Sequence, residues 1–529
     1  MTAYKKLNII TGWIVFGIAA FTYLSTIEPT ASFWDCGEYI ATSYKLEVGH
    51  PPGAPLFNMI ARVFTLFGDK QHAAALVNSM SALCSAATIL FLFWSITLLA
   101  RKLYPRNKEL STGEMWAIMG AGAVGALAYT FSDSFWFSAV EGEVYAMSSM
   151  FTAAVFWAML RWEAVADEPQ ADRWLILAFY LIGLSIGVHL LSLLTIPAMV
   201  FIYYFKRYKV TRKGFIITTV VSVFLLGFVQ SFLIPWVVKL AALFELFFVN
   251  NLHMPFNSGT IAYFLVLIGG IVLGVRYSHL KNLPFVNTAI ISFACLVLGY
   301  SSFLVLVIRA NANTPMNQNR PTDALGLLSY LNRDQYGDWP LLYGPYYTAK
   351  LVKDQDKAYS DGTPLYKKDA KAGKYVVVDQ RDKTKPNYDS RYCTVFPRMY
   401  DGDASKASAY KRWGKVKERT YYMPDEHGQY DSIVKPSFGE NMTYFWNYQI
   451  WHMYARYFLW NFAGKQNDAE GFGTKVDGNW LSGIGFIDDW RLGDQRRVPA
   501  VMKQNKARNE LYFLPLILGL LGIWFHFRK

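Results

Sequence analysis

Residues 9–39 read IITGWIVFGIAAFTYLSTIEPTASFWDCGEY, an apolar run over 9–27 that passes without a break into Trp34-Asp35-Cys36-Gly37-Glu38-Tyr39. A helix needs about 20 apolar residues to cross roughly 30 Å of hydrocarbon, so the run predicts a membrane span. Lys5 and Lys6 precede it and place the amino end in the cytoplasm. A secretory signal has a short apolar core and a small-residue cleavage site; this run continues into Trp34 and Asp35, so it reads as an anchor. Asp35, Glu38 and, beyond a short helix, His50-Pro51-Pro52-Gly53 stand at its exit. Ionisable groups beside lipid are costly unless they are used.

Working outward, apolar runs recur through residues 9–308 and once more at 511–527, while 309–510 are polar and rich in Tyr, Trp, Gly and Asp. The 529 residues are 53% hydrophobic and 17% aromatic, above a globular composition. The pattern predicts an all-α polytopic membrane protein with about ten transmembrane helices and an α+β extracytoplasmic domain. Its expected parts are a transmembrane domain, 1–308, with the first loop at 28–74, an extracytoplasmic domain, 309–510, and a C-terminal transmembrane helix, 511–529. In this count Arg101, Lys102, Arg106 and Lys108, the Lys206 to Lys213 cluster, Arg276, Lys281 and Arg528-Lys529 all fall on one side. The net charge of +13 is therefore read as a topological address and not as a nucleic-acid surface. The expectation is an integral inner (plasma) membrane protein with 28–74 and 309–510 outside.

Local signals refine this outline. Ser32 stands three residues before Asp35 like a helix-start box, and Trp34 to Val48 reads as a short helix stopped by Pro51-Pro52-Gly53. Residues 55–67 place Leu56, Met59, Ile60, Val63 and Phe67 on one face, a helix for the membrane surface, with Asn58, Arg62 and Thr65 largely elsewhere. A fourth span, 135–160, would hold Glu141 and Glu143, and 174–205 reads as two short spans bent near Gly187-Val188-His189. A span at 214–238 would leave Glu245, Asn250 and Asn251 in an outside loop. In 309–510, residues 375–378 and 394–396 read as strands and 445–462 as an aromatic helix lying on the membrane. Asn441-Met442-Thr443 matches an N-glycosylation pattern, which marks exposed segments. Four scattered cysteines make neither a disulfide framework nor a zinc site.

Asp35 and Glu38, at i and i+3, share a helix face. One carboxylate can take the proton of an attacking hydroxyl while the other orients it or holds a cation. The spacing fits equally a plain helix start in which Asp35 favours the positive helix end, with His50 a loop residue. Glu141, Glu143 and His189 inside the bilayer would face a watery cavity or form a buried pair. Arg309 to Arg320 offers two guanidinium groups and four asparagines in twelve residues, suited to a phosphate or to lipid headgroups. There is no phosphate-binding Gly-Lys-Ser/Thr loop, His-Glu-x-x-His or Gly-x-Ser-x-Gly.

Trp34 to Thr42, followed by Leu46-Glu47-Val48-Gly49-His50-Pro51-Pro52-Gly53-Ala54-Pro55-Leu56-Phe57, resembles the signature of the transmembrane protein O-mannosyltransferase family. The likeness is best over residues 9–205, and Trp34 stands where many members carry glycine. That family is similar to the C-class (GT-C) glycosyltransferases. The resemblance implies Asp35 as general base, Glu38 second and His50 beside them, with Glu141, Glu143, Tyr145 and His189 lining the same cavity. It implies a polyprenyl-phosphate donor of a hexose such as mannose, whose phosphate lies near Arg309 or Arg320, and Ser/Thr hydroxyls of exported proteins as acceptors, with inversion. No cofactor or metal ligand is implied; because Arg stabilises the leaving phosphate, a divalent cation is possible but not obligatory. The rival readings are a transporter or lipid flippase using Glu141, Glu143 and His189, against which no inverted repeat is seen, and transfer to a lipid or glycan acceptor.

Overall fold

The computed structural model describes every residue except Met1, Arg106, Asp338, Gln355, Glu426, His427 and Lys529. Arg106 and Lys529, counted above among the basic residues, thus lie outside the described residues. The chain forms two compact units, Met1–Tyr336 with Lys368–Val376, and Gly337–Lys367 with Val377–Lys529.

The first unit is helical: α1 (Ala3–Leu24), α2 (Cys36–Lys45), α3 (Pro55–Thr65), α4 (Ala73–Arg101), α5 (Thr112–Thr130), α6 (Asp133–Ala139), α7 (Val144–Val165), α8 (Arg173–Ile186), α9 (Thr195–Arg207), α10 (Arg212–Phe228), α11 (Ile234–Leu246), α12 (Ser258–Leu280), α13 (Pro284–Tyr300), α14 (Leu304–Asn311) and α15 (Ala324–Asn332). Among the described residues, seven helices are long and apolar enough to cross a membrane, or eight if α5 and α6, bent by 70°, make one span. The chain is a multi-pass membrane protein.

Helix packing follows from small residues. A Cβ on Gly183 of α8 would lie 2.2 Å from the Leu296 carbonyl oxygen, and one on Gly299 of α13 would lie 2.4 Å from the Leu184 nitrogen. The two backbones therefore meet, as small residues allow between helices in lipid. Trp162, Ile182, Leu296 and Tyr300 fill the core around this contact.

Two sequence expectations change. The helix expected at 214–238 runs on to Asn251, 40 residues in all, through a wide turn at Val229–Leu233. Glu245 is therefore helical and fully buried. It is satisfied there by the Asn257 N–H (2.6 Å), the Thr260 N–H (2.9 Å) and the Tyr375 hydroxyl (3.1 Å). Glu141 and Glu143 are not within a span but in the turn between α6 and α7, because the chain breaks at Gly142 and the Glu143 carboxylate caps the Val144 N–H at 3.1 Å. The 174–205 segment does bend at Gly187, between α8 and a tight turn that leads into α9.

The bundle's two ends differ in chemistry. At one, Lys102 pairs with Glu163, Lys206 with Asp167 (2.6 Å), and the Thr288 hydroxyl donates to Asp172 (2.9 Å). At the other lies the loop after α1. Its Glu28 N–H donates to the Val140 carbonyl (3.0 Å), Leu56 N–H to Gly187 (2.9 Å) and Val48 N–H to Met316 (3.1 Å).

The second unit carries short antiparallel pairs, among them Tyr343–Pro345 with Cys393–Val395 and Thr420–Pro424 with Tyr430–Val434. A helical run over 438–462 exposes Trp446 and Trp451. Asn441 begins the expected glycosylation pattern yet is fully buried: its side-chain oxygen accepts the Arg398 N–H (2.9 Å) and its amide donates to Phe396 (3.0 Å).

Candidate functional site

The loop after α1 folds as two short helices, α2 and α3, clamped together. Asn58 of α3 is buried and accepts the Ser43 hydroxyl of α2 at 3.1 Å. Phe57 and Ala61 turn inward while Val63 and Phe67 are exposed, so α3 packs on protein with one face and leaves the other for lipid. The far end of α2 is held by Arg309, whose guanidinium donates to the carbonyls of Leu46 (2.6 Å) and Lys45 (3.0 Å). Tyr330 of α15 reaches the same loop, its hydroxyl donating to Gly49 O (2.7 Å) and His50 O (3.2 Å).

These supports fix a carboxylate–imidazole centre. Glu38 Oε1 accepts the His50 backbone N–H at 2.5 Å and meets His50 Nδ1 at 3.1 Å. Gln318 Nε2 also donates to this oxygen at 3.5 Å. His50 Nε2 lies 3.9 Å from Asp35 Oδ2. The His50 hydrogen bond holds the Glu38 carboxyl below its ordinary range, and Glu38 in turn raises the imidazole. One donor atom from each of Asp35, Glu38 and His50 fits within 4.8 Å, a set chemically suited to a divalent cation.

Asp35 differs from its neighbours. It stands at the N-terminal end of α2, yet its side chain caps none of that helix's N–H groups. It is 59% exposed against 23% for Glu38. Trp34 before it is almost wholly exposed and has φ of +61°, a left-handed backbone that disfavours a bulky side chain and suits glycine.

A second acidic layer backs the first. Glu141 and Glu143 are buried, and the Cys36 thiol faces Glu141 Oε2 at 3.7 Å and Glu143 Oε2 at 3.9 Å. Burial, reinforced by these two acids, pushes the thiol up to about 12, so it stays protonated and can donate. Burial raises both carboxyls, Glu143 to about 7 with help from Asp35 and Glu141. Tyr145 opens α7 half exposed, its ring 5.4 Å from that of His189. His189 itself accepts the Leu191 N–H at the bend after α8.

Of the residues singled out in the sequence, Asp35, Glu38 and His50 converge directly. Glu141 and Glu143 join them through Cys36, and His189 stands beside Tyr145. Arg309 is spent on the end of α2, and Arg320 is exposed on the loop that carries Gln318. Sequence reading passed over Cys36, Gln318, Tyr330 and Arg333, the last close enough to His50 to oppose its protonation. Gln318 and Tyr330 lie about 280 residues from their partners, and no local pattern announces such contacts.

The fold and site define a polytopic helical membrane protein with an acid–histidine centre in its first loop. Residues 35–212 match the N-terminal domain of the protein O-mannosyl-transferase TMEM260, and residues 337–446 match a family of unknown function (DUF8416). The chain is 26% identical over 151 residues to a protein O-mannosyl-transferase tmem260 of Dictyostelium discoideum, covering 28% of this chain and 16% of that protein. It is 24% identical over 172 residues to protein O-mannosyl-transferase TMEM260 of Mus musculus, covering 32% and 22%. Residues 35–212 are thus similar to the N-terminal part of these protein O-mannosyl-transferases. The matched region spans about a fifth of the length of these curated relatives, and no solved structure matches. It begins at Asp35 and includes every residue singled out in the sequence as a site candidate except Arg309 and Arg320.

Proposed function

We propose that this protein transfers a hexose, mannose by analogy with its relatives, from a polyprenyl-phosphate donor to Ser or Thr hydroxyls of exported proteins. The observation that carries this reading is the contrast between the two first-loop carboxylates. Glu38 Oε1 is engaged by His50 and Gln318, and His50 holds the carboxyl below its ordinary range, which makes it the weaker base and a good support. Asp35 is exposed, makes no cap and has its Oδ2 3.9 Å from His50 Nε2, open to accept a proton.

In this scheme the acceptor oxygen attacks the anomeric carbon from the face opposite the phosphate. The new C–O bond forms as the bond to the phosphate oxygen breaks, Asp35 takes the hydroxyl proton, and polyprenyl phosphate leaves. One displacement inverts the anomeric centre. With Arg309 engaged at α2, Arg320 and Arg333 are the guanidinium groups assigned to the phosphate. An apolar cavity of about 770 Å³, lined by Phe228, Phe232, Trp236, Phe244, Val266 and Ile271 among others, supports an isoprenoid donor. The seven long apolar helices, the bent α5–α6 pair and the two shorter apolar helices Arg173–Ile186 and Leu514–Arg528 are compatible with a ten-span GT-C arrangement, with the transmembrane part at 1–308, the extracytoplasmic domain at 309–510 and a last helix at 511–529. The basic end then faces the cytoplasm of the inner (plasma) membrane.

The test supplies membranes containing the protein with radiolabelled polyprenyl-phosphate β-mannose. Label in protein, released by β-elimination and cleaved by an α-mannosidase, is the expected result. A β-linked product overturns the single displacement; no label in protein overturns the transfer.

A further inference from the structure

Along α2 lies a cavity of about 580 Å³, open to the surface. Gly37, Ile40, Ala41 and Tyr44 supply its wall at the i, i+3, i+4, i+7 spacing of one helix face. Lys45, Glu47, Lys70 and the Pro315-Met316 segment complete it. Gly37 is two residues past Asp35, so the cavity opens at the turn of α2 that presents the proposed base.

Glu47 is the unexplained group. It is 6% exposed, and its Oε1 is shut from solvent with no hydrogen-bond partner among the described residues. A buried polar oxygen left unpaired costs about 1–3 kcal/mol, more if charged, so this position calls for a donor. The loop around it is otherwise satisfied: Glu47 N–H donates to Thr42 O (2.8 Å), and Val48 is paired on both sides with Met316 and Gln318. Lys45 and Lys70, both exposed, add donors of their own at the rim.

We infer that this cavity is the subsite for the acceptor polypeptide, with Glu47 receiving its N–H groups while Lys45 and Lys70 hold its carbonyl or acidic groups. The inference rests on the transferase reading and names the site its acceptor occupies. An ionised phosphate satisfies the two lysines but has no hydrogen to give Glu47 and is repelled by it. A polypeptide offers both donors and acceptors, and its apolar side chains match Ile40, Ala41, Pro315 and Met316. Lying along α2 toward Gly37, it brings a Ser or Thr hydroxyl to Asp35.

The experiment uses the full chain in lipid nanodiscs and a fluorescent pool of short Thr-centred peptides randomised on either side. Saturable binding to the wild type is expected. Glu47→Gln, which keeps the shape and removes the charge, weakens it by about tenfold or more, the scale of one lost charge-assisted hydrogen bond. Ala41→Trp, on an exposed position, fills the cavity without touching the core and weakens it similarly. An unchanged affinity in either variant, absence of saturable wild-type binding, or displacement of the peptides by polyprenyl phosphate overturns the subsite. Binding that requires Glu47 in a protein that transfers no mannose to the same peptides leaves the subsite standing and overturns the transferase reading instead.

Discussion

Replacing Glu38 by Gln removes the charge that orders the first loop while keeping the side chain's shape. In the wild type one carboxylate oxygen takes both the His50 N–H, at 2.5 Å, and His50 Nδ1, at 3.1 Å. A hydrogen bond to a charged group contributes about 1.5–3 kcal/mol, and the amide oxygen of Gln retains a neutral bond of about 1 kcal/mol. The net loss is about 2 kcal/mol, or about thirtyfold in the local opening equilibrium. Global melting is a poor readout: at about 2 cal/mol/K of unfolding entropy per residue, a loss of that size barely moves the midpoint of so long a chain. Amide hydrogen exchange across residues 47–53 reads it directly. The pH dependence carries the stricter test. His50 is raised by Glu38, so its contribution is complete below roughly pH 6.5 and fades as pH climbs through the raised value. Glu38 is lowered, so its contribution is complete above roughly pH 4.3 and fades as pH falls through the depressed value. The gap between wild type and Glu38→Gln should be widest between these limits and narrow in alkali. An equal gap at all pH values, or none, refutes the ion-pair reasoning.

Other outcomes follow from the same geometry. Arg309→Lys loses the paired hold on Lys45 O and Leu46 O and should increase exchange at the end of α2 without altering the KM for donor. Arg320→Ala should raise that KM with the exchange unchanged, and kinetics beside exchange separates the two. Gly183→Ala places a methyl 2.2 Å from the Leu296 carbonyl oxygen and should cost about 1–3 kcal/mol through forced separation of α8 and α13, read as lower yield of folded protein. Glu143→Gln should be nearly silent in transfer assays below about pH 7, because burial already holds this carboxyl largely protonated there, and should diverge from wild type above it.

The helical membrane class and the shared face of Asp35 and Glu38 were legible because they are written locally: apolar run lengths announce spans, and i, i+3 spacing puts the two acids on one turn; His50 was set beside them only by the family resemblance. The bend at Gly187 was legible for the same reason. Glu141 and Glu143 were misplaced because hydropathy averages over a window and does not feel a single break at Gly142. The extension of α10–α11 to Asn251 was missed because Glu245 looks like a loop residue until Asn257, Thr260 and Tyr375 surround it. Arg309 illustrates the limit most clearly. Its composition suited phosphate, but its partners are carbonyls more than 260 residues away, and only the fold brings them together.

Mannose transfer from polyprenyl-phosphate mannose into protein, by membranes carrying wild type or Asp35→Asn at matched expression, tests the assignment of the base most directly. Loss of the accepting carboxylate should lower transfer by about 10²-fold or more, the scale of general-base catalysis. Equal transfer by both proteins would contradict Asp35 as the base.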